Sequence, residues 1–188
     1  SLMAVAALVA VAGCTGEPEP EPSVSVDVDD APIRMQRVLE YDFNGATPMA
    51  EGARILDTGR YNLEGVLRLS GQVPMGLEPV PGPTEGTTAI QFPTPCGSKV
   101  EGECPKAVIE VPDSPLLNPG AAPFGWGANV LLTKTETSTG SNIMQKGFAV
   151  GGQSQWKLQV DNTAGYPSFL VVGTKPAEKF KALSDTSV

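Results

Sequence analysis

Three cysteines, at positions 14, 96 and 104, and a scatter of carboxylates are the side chains best suited to chemistry in this sequence. No histidine accompanies them. The commonest general base and the commonest metal ligand are therefore missing, and serine triads and histidine-ligated zinc sites are excluded. Cys96 and Cys104 do not form a C-x-x-C pair, which argues against a redox role, and two thiolates without histidine make an incomplete zinc site. Hydrolysis of a glycosidic bond with retention needs two carboxylates roughly 5–5.5 Å apart across the bond. The nearest paired acids, Glu101 and Glu103, lie inside the short segment between Cys96 and Cys104, and no Glu-x-Asp-x-x-Glu string occurs. The chain reads as a non-enzyme.

Cys14 stands behind a different kind of segment. Residues 2–12, LMAVAALVAVA, are all apolar. At ~1.5 Å per residue they span about 17 Å, too short for a hydrocarbon core of ~30 Å but suited to the apolar region of a signal peptide. Val11-Ala12-Gly13-Cys14 resembles the bacterial lipobox, in which the peptidase cuts before the cysteine that receives lipid. Residues 1–13 are thus expected to be a lipoprotein-type signal, clipped at its start because no basic residues precede the apolar run, and Cys14 to be the lipidation site. Residues 14–37 follow as an anchored tether. Their Glu-Pro alternation favours extended polyproline II, and at ~3.1 Å per residue they reach up to about 70 Å from the membrane. Residues 15–37 hold six acids against Arg34 and Arg37, half of the chain's net charge of −8. Such an acidic balance speaks against a nucleic-acid partner. With Cys14 lipidated and the chain exported, Cys96 and Cys104 remain as the natural disulfide pair. Closing that nine-residue ring contributes roughly 2.6 kcal/mol by the loop-entropy formula.

The elements that must carry these groups have a period of two. Leu39, Tyr41 and Phe43 alternate with Glu40 and Asp42; Thr88, Ile90 and Phe92 alternate with Ala89 and Gln91; Ala107, Ile109 and Val111 alternate with Val108 and Glu110. Phe124, Trp126, Ala128, Val130 and Leu132 form the longest alternation, and Trp156, Leu158 and Val160 another. Leu67 and Leu69 suggest a further strand, and Phe169 to Val172 reads as a strand covered on both faces. Clusters of the chain's 21 glycines and 18 prolines separate these runs, with Pro74 to Gly86 expected as a long surface loop. Many short strands with such spacing indicate an all-β sandwich or barrel over residues 38–188.

Several segments also carry a resemblance. Val130-Leu131-Leu132, Gly140 to Gly147, Gln155 to Asp161 and Gly165-Tyr166-Pro167-Ser168, with Asp42-Phe43-Asn44 upstream, resemble the laminin-G-like, concanavalin A-like domains of exported bacterial proteins. The resemblance implies an antiparallel β-sandwich of jelly-roll type. Relatives continue with an Asp-Gly-x-Trp-His segment and more strands beyond the point where this chain stops, so the sandwich is expected to be incomplete at its C-terminal end. The residues themselves read Asn142 to Gly147 as a solvent-facing hairpin turn with an exposed lysine, and the spacing of Ile143 to Trp156 suits two neighbouring antiparallel strands. Phe169 replaces a cysteine of many relatives, so that family disulfide is not expected here.

The resemblance also makes calcium a candidate cofactor at the sandwich rim, with Asp42, Asn44, Asp161 and Asn162 as oxygen donors; turn formation accounts for the same residues. Trp126 and Trp156 sit on the apolar face of strict alternations and belong in the core rather than on a sugar-stacking platform, with their ring N–H groups needing partners there. The functional expectation is a non-catalytic binding module for glycans or glycoproteins, anchored by lipid at the outer face of the cell envelope. Its alternatives are a structural or adhesive envelope lipoprotein, or the non-catalytic part of a larger glycoside hydrolase.

Overall fold

The computed structural model describes residues 5–6, 36–71, 76–94, 104–120, 122–132, 141–147, 154–160, 165–175 and 178–186. Among these residues the chain is all-β: every pairing between strands is antiparallel, and the only helical element is a short 3₁₀ turn at Pro115–Leu117. The strands are β1 (Val5–Ala6), β2 (Arg54–Ile55), β3 (Gly65–Ser70), β4 (Glu78–Pro81), β5 (Thr88–Gln91), β6 (Lys106–Glu110), β7 (Asn129–Val130), β8 (Ser141–Lys146), β9 (Gln155–Val160), β10 (Pro167–Val172) and β11 (Lys179–Leu183). They pair in four sheets, with strand orders β2-β3-β6, β4-β5, β11-β10-β9-β8 and β1-β7.

The first core forms around β3. Leu67 faces Ile109 and Leu69 faces Ala107 across the β3–β6 ladder, while Val66 and Arg68 point to the opposite side with Glu110 and Val108. Leu67 is fully enclosed, and with Phe43, Ile55, Leu77 and Ile90 it makes one buried cluster. Enclosing a leucine side chain stabilises by about 2 kcal/mol. Gly65 opens β3 because a Cβ there would lie 2.5 Å from Ile109 Cγ2 and 2.7 Å from Tyr41 Oη. Only a residue without a side chain admits that packing.

Three expectations are corrected in this region and beside it. The run Leu39–Phe43 keeps its alternation, with Phe43 buried and Asp42 exposed, but joins no ladder among the described residues. Its backbone is held instead by Asp57 and Thr58: Glu40 N donates to Asp57 Oδ1 at 2.9 Å, and Thr58 N donates to Glu40 O at 2.8 Å. The stretch from Pro74 to Gly86 is not a plain surface loop, because Leu77 enters the core, bridges to Met49 and leads into β4. Among the described residues β4 pairs with β5 alone, and Pro79 and Pro81 occupy alternate positions while Gly82 N continues the ladder to Thr87 O at 2.8 Å. Alternate prolines on such an edge leave the paired N–H groups intact. Third, the alternation from Phe124 to Leu132 yields only two paired residues, Asn129–Val130, which lie against Val5–Ala6. Gly125 and Gly127 interrupt that run and weaken it as a strand.

The second region is the four-stranded sheet. Ser141–Lys146 is a strand rather than the expected turn, antiparallel to β9 as the spacing of Ile143 and Trp156 suggests, and Lys146 is not a free exposed lysine but pairs with Asp113 at 2.5 Å. Phe169 to Val172 is central, lying between β9 and β11, but it is not covered on both faces as expected: only Leu170 is buried, and Phe169, Val171 and Val172 are half-buried. Leu158, Val160 and Leu170 are buried in this sheet and do not belong to the cluster around Leu67.

Candidate ligand-binding face

The register of the four-stranded sheet sorts its side chains onto two unlike faces, since residues directly opposite one another share a face and alternate residues along a strand change it. One face carries the rows Lys146–Trp156–Val171–Phe180, Met144–Leu158–Phe169–Ala182 and Ser141–Val160–Pro167. The other carries Gln145–Lys157–Leu170–Lys181, Gln155–Val172–Lys179 and Asn142–Gln159–Ser168–Leu183. A bulge between Asn142 and Met144 makes this separation possible. It leaves Asn142 with the polar rows and turns Met144 to the apolar ones.

The apolar face is covered in part by the chain before β7. Trp126 stacks on Phe124 with ring centroids 4.9 Å apart, lies 5.4 Å from Trp156, and meets Phe169 edge-on at 5.8 Å. Both tryptophans are half-buried, so packing is their role here, as their alternation implies. Their ring N–H groups differ from expectation: among the described residues neither has a hydrogen-bond partner. Phe180, at the end of the row through Trp156, is 64% exposed.

The opposite face is polar in the middle of a sheet. Gln145 Nε2 donates to Gly147 O at 2.8 Å, and Gln155 Nε2 reaches the same carbonyl at 3.4 Å. Gln155 is 5% exposed and Ser168 is fully enclosed, yet Gln155 Oε1 and Ser168 Oγ have no partner among the described residues. A buried polar atom left unpaired costs roughly 1–3 kcal/mol. Leu170, between Lys157 and Lys181 in its row, is buried, as the methylene stems of flanking lysines would leave it. The face therefore offers the exposed amides of Asn142 and Gln145 and ammonium groups on a rigid ladder. No known protein family, curated protein or solved structure matches this chain.

The residues singled out from the sequence are dispersed. Cys14, Cys96, Glu101, Glu103, Asp161 and Asn162 lie outside the described residues. Cys104, just before β6, is disulfide-bonded. Asp42 and Asn44 are at a turn in which Asp42 Oδ1 accepts from Asn44 N and Asn44 Oδ1 accepts from Thr88 N, both at 2.8 Å. Backbone donors thus account for an oxygen of each. Among the described residues no three His, Cys, Asp or Glu side chains are grouped to hold a metal ion. The buried carboxylate, Asp57, is engaged by three backbone N–H groups, from Glu40, Gly59 and Leu63. Beside it, burial first and then the charges of Asp57 and Glu64 push the Tyr41 hydroxyl up to about 12. The sequence reading passed over β11. Its signal was the alternation of Lys179 and Lys181 with Phe180 and Ala182.

Proposed function

We propose that this chain is a non-catalytic binding module for glycans or glycoproteins, displayed at the outer face of a bacterial envelope. The observation that carries the reading is the polar face of the β8–β11 sheet, where Asn142, Gln145, Gln155, Gln159 and Ser168 share one surface. Side-chain amides both donate and accept, which matches sugar hydroxyls, and those of Asn142 and Gln145 are exposed. A sheet fixes the backbone beneath these groups, so only their side-chain rotamers are ordered at binding.

In this reading residues 1–13 are a signal peptide, Cys14 carries the lipid and residues 14–37 hold the folded part away from the membrane. The folded part is the laminin-G-like jelly roll that the sequence resembles. Cys96 is the disulfide partner of Cys104. A structural or adhesive role is the second reading, and the exposure of Phe180 beside the aromatic cluster favours it, since an apolar ring at that position suits a protein surface. A glycan array probed with the labelled full chain separates the two. Saturable binding to one glycan class supports the module; no retained glycan at any soluble protein concentration overturns it.

A further inference from the structure

Charge is distributed against the trend of the chain on the same face. Residues 141–188 contain five lysines and three acids (Asp161, Glu178 and Asp185), a net of +2, while residues 1–140 hold 8 bases and 18 acids, a net of −10. Three of those five lysines, Lys157, Lys179 and Lys181, are brought together by register on the polar face, and its three rows contain no acid. Lys157 and Lys181 flank Leu170, two inter-strand steps apart, which is about 10 Å. Lys179 follows two residues along β11 from Lys181.

Protection of a sheet edge explains lysines on an outer strand. It accounts for Lys179 and Lys181, since among the described residues β11 pairs with β10 alone, but not for Lys157. Lys157 is on β9, between β8 and β10, where no edge needs guarding. Neither Lys157 nor Lys179 makes an ion pair among the described residues, although the chain as a whole has acids in excess. Lys146, on the other face of the same sheet, does have such a partner in Asp113.

We propose that the ligand of this face is an acidic polysaccharide whose carboxylates recur along the chain, held by Lys157 and Lys179 while the exposed amides of Asn142 and Gln145 meet its hydroxyls. This inference rests on the glycan-binding reading and narrows it. About two inter-strand steps span two sugars, so on a polymer with a carboxylate on every sugar alternate carboxylates can meet the two cations, and separated ammonium groups favour a polymer over a single sugar acid. The exposed amides of Asn142 and Gln145 on the same face supply neutral contacts beside the charges.

The test uses the full chain with polygalacturonate and with its fully methyl-esterified form, which keeps the sugar chain and removes the charge. Binding should favour the acid form and weaken as salt rises. K157Q and K179Q should each weaken it roughly fivefold at low ionic strength. K175Q changes net charge equally but lies in the β10–β11 turn beside Glu178, and should leave affinity unchanged. Thermal midpoints of all three variants show whether the fold is retained. Equal affinity for the ester and the acid, or equal losses in K175Q and K157Q, would overturn the acidic-ligand inference and leave the glycan reading standing. Absence of binding to these polymers and to every glycan on the array would overturn both.

Discussion

Asp57 binds Leu63 across a six-residue loop: the Leu63 N–H donates to Asp57 Oδ2 at 2.8 Å, while Oδ1 receives Gly59 N at 2.7 Å and Glu40 N at 2.9 Å. One carboxylate thus closes the β2–β3 connection and fixes the segment that leads to Phe43. Replacing Asp57 by Ala leaves three N–H groups without that acceptor. The expected loss of stability is on the order of 3 kcal/mol, read by chemical denaturation. A loss below about 1 kcal/mol would show that water replaces the carboxylate freely.

Tyr41 sets an alkaline limit on stability. Its hydroxyl donates to Leu63 O at 2.9 Å, and its pKa is raised from 10.0 to about 12 in the folded chain. Between these values the unfolded chain has lost the proton and the folded chain retains it. The contribution is therefore complete below pH 10 and is lost as pH rises toward 12. Tyr41→Phe should flatten the dependence of stability on pH in this window, measured by denaturation at stepped pH. At neutral pH the same variant loses one hydrogen bond, about 1 kcal/mol.

The aromatic cluster separates packing from hydrogen bonding. Trp126→Phe keeps a ring against Phe124, Trp156 and Phe169 and removes an N–H with no partner among the described residues. It should change stability by less than about 1.5 kcal/mol. Trp126→Ala opens the apolar face of the sheet and should cost about 3 kcal/mol or more. Thermal unfolding of the two variants side by side reads the difference. Equal losses would mean that the indole N–H is engaged after all.

The proposed anchor predicts that Cys14→Ser is released from membranes or left uncut. Growth with labelled palmitate reads it directly: the parent chain takes up label and the variant does not. An unlabelled parent band would remove the lipid anchor from the proposal.

For the proposed Cys96–Cys104 pair, alkylation of exported protein without reductant should leave both thiols unmodified, and reduction should add two alkyl groups in mass. Loss of the bond by Cys104→Ser should destabilise the chain by roughly 2.6 kcal/mol. A parent protein alkylated at both positions before reduction would contradict the pairing.

What was legible in the sequence was local. Ala107, Ile109 and Val111 turn one way and Val108 and Glu110 the other because a strand alternates whatever its partner is. The same rule placed Trp156, Leu158 and Val160 on one face. It also described Leu39 to Phe43 correctly as an alternation, yet that run became backbone held by Asp57, because a ladder requires a second strand and alternation does not name one. The run through Phe124 and Trp126 failed in the same way, with stacking in place of pairing. Leu77 and β4 were hidden because Pro79 and Pro81 look like loop residues until an edge position makes them tolerable. The candidate face was beyond local reading altogether. Lys157, Lys179 and Lys181 come from strands more than twenty residues apart, and only the register of β9, β10 and β11 sets them on one side. The bulge before Met144 then decides which face β8 adds to, and a one-residue slip would exchange the faces of a whole strand. Side-chain alternation is a property of the chain; the sharing of a face is a property of the pairing.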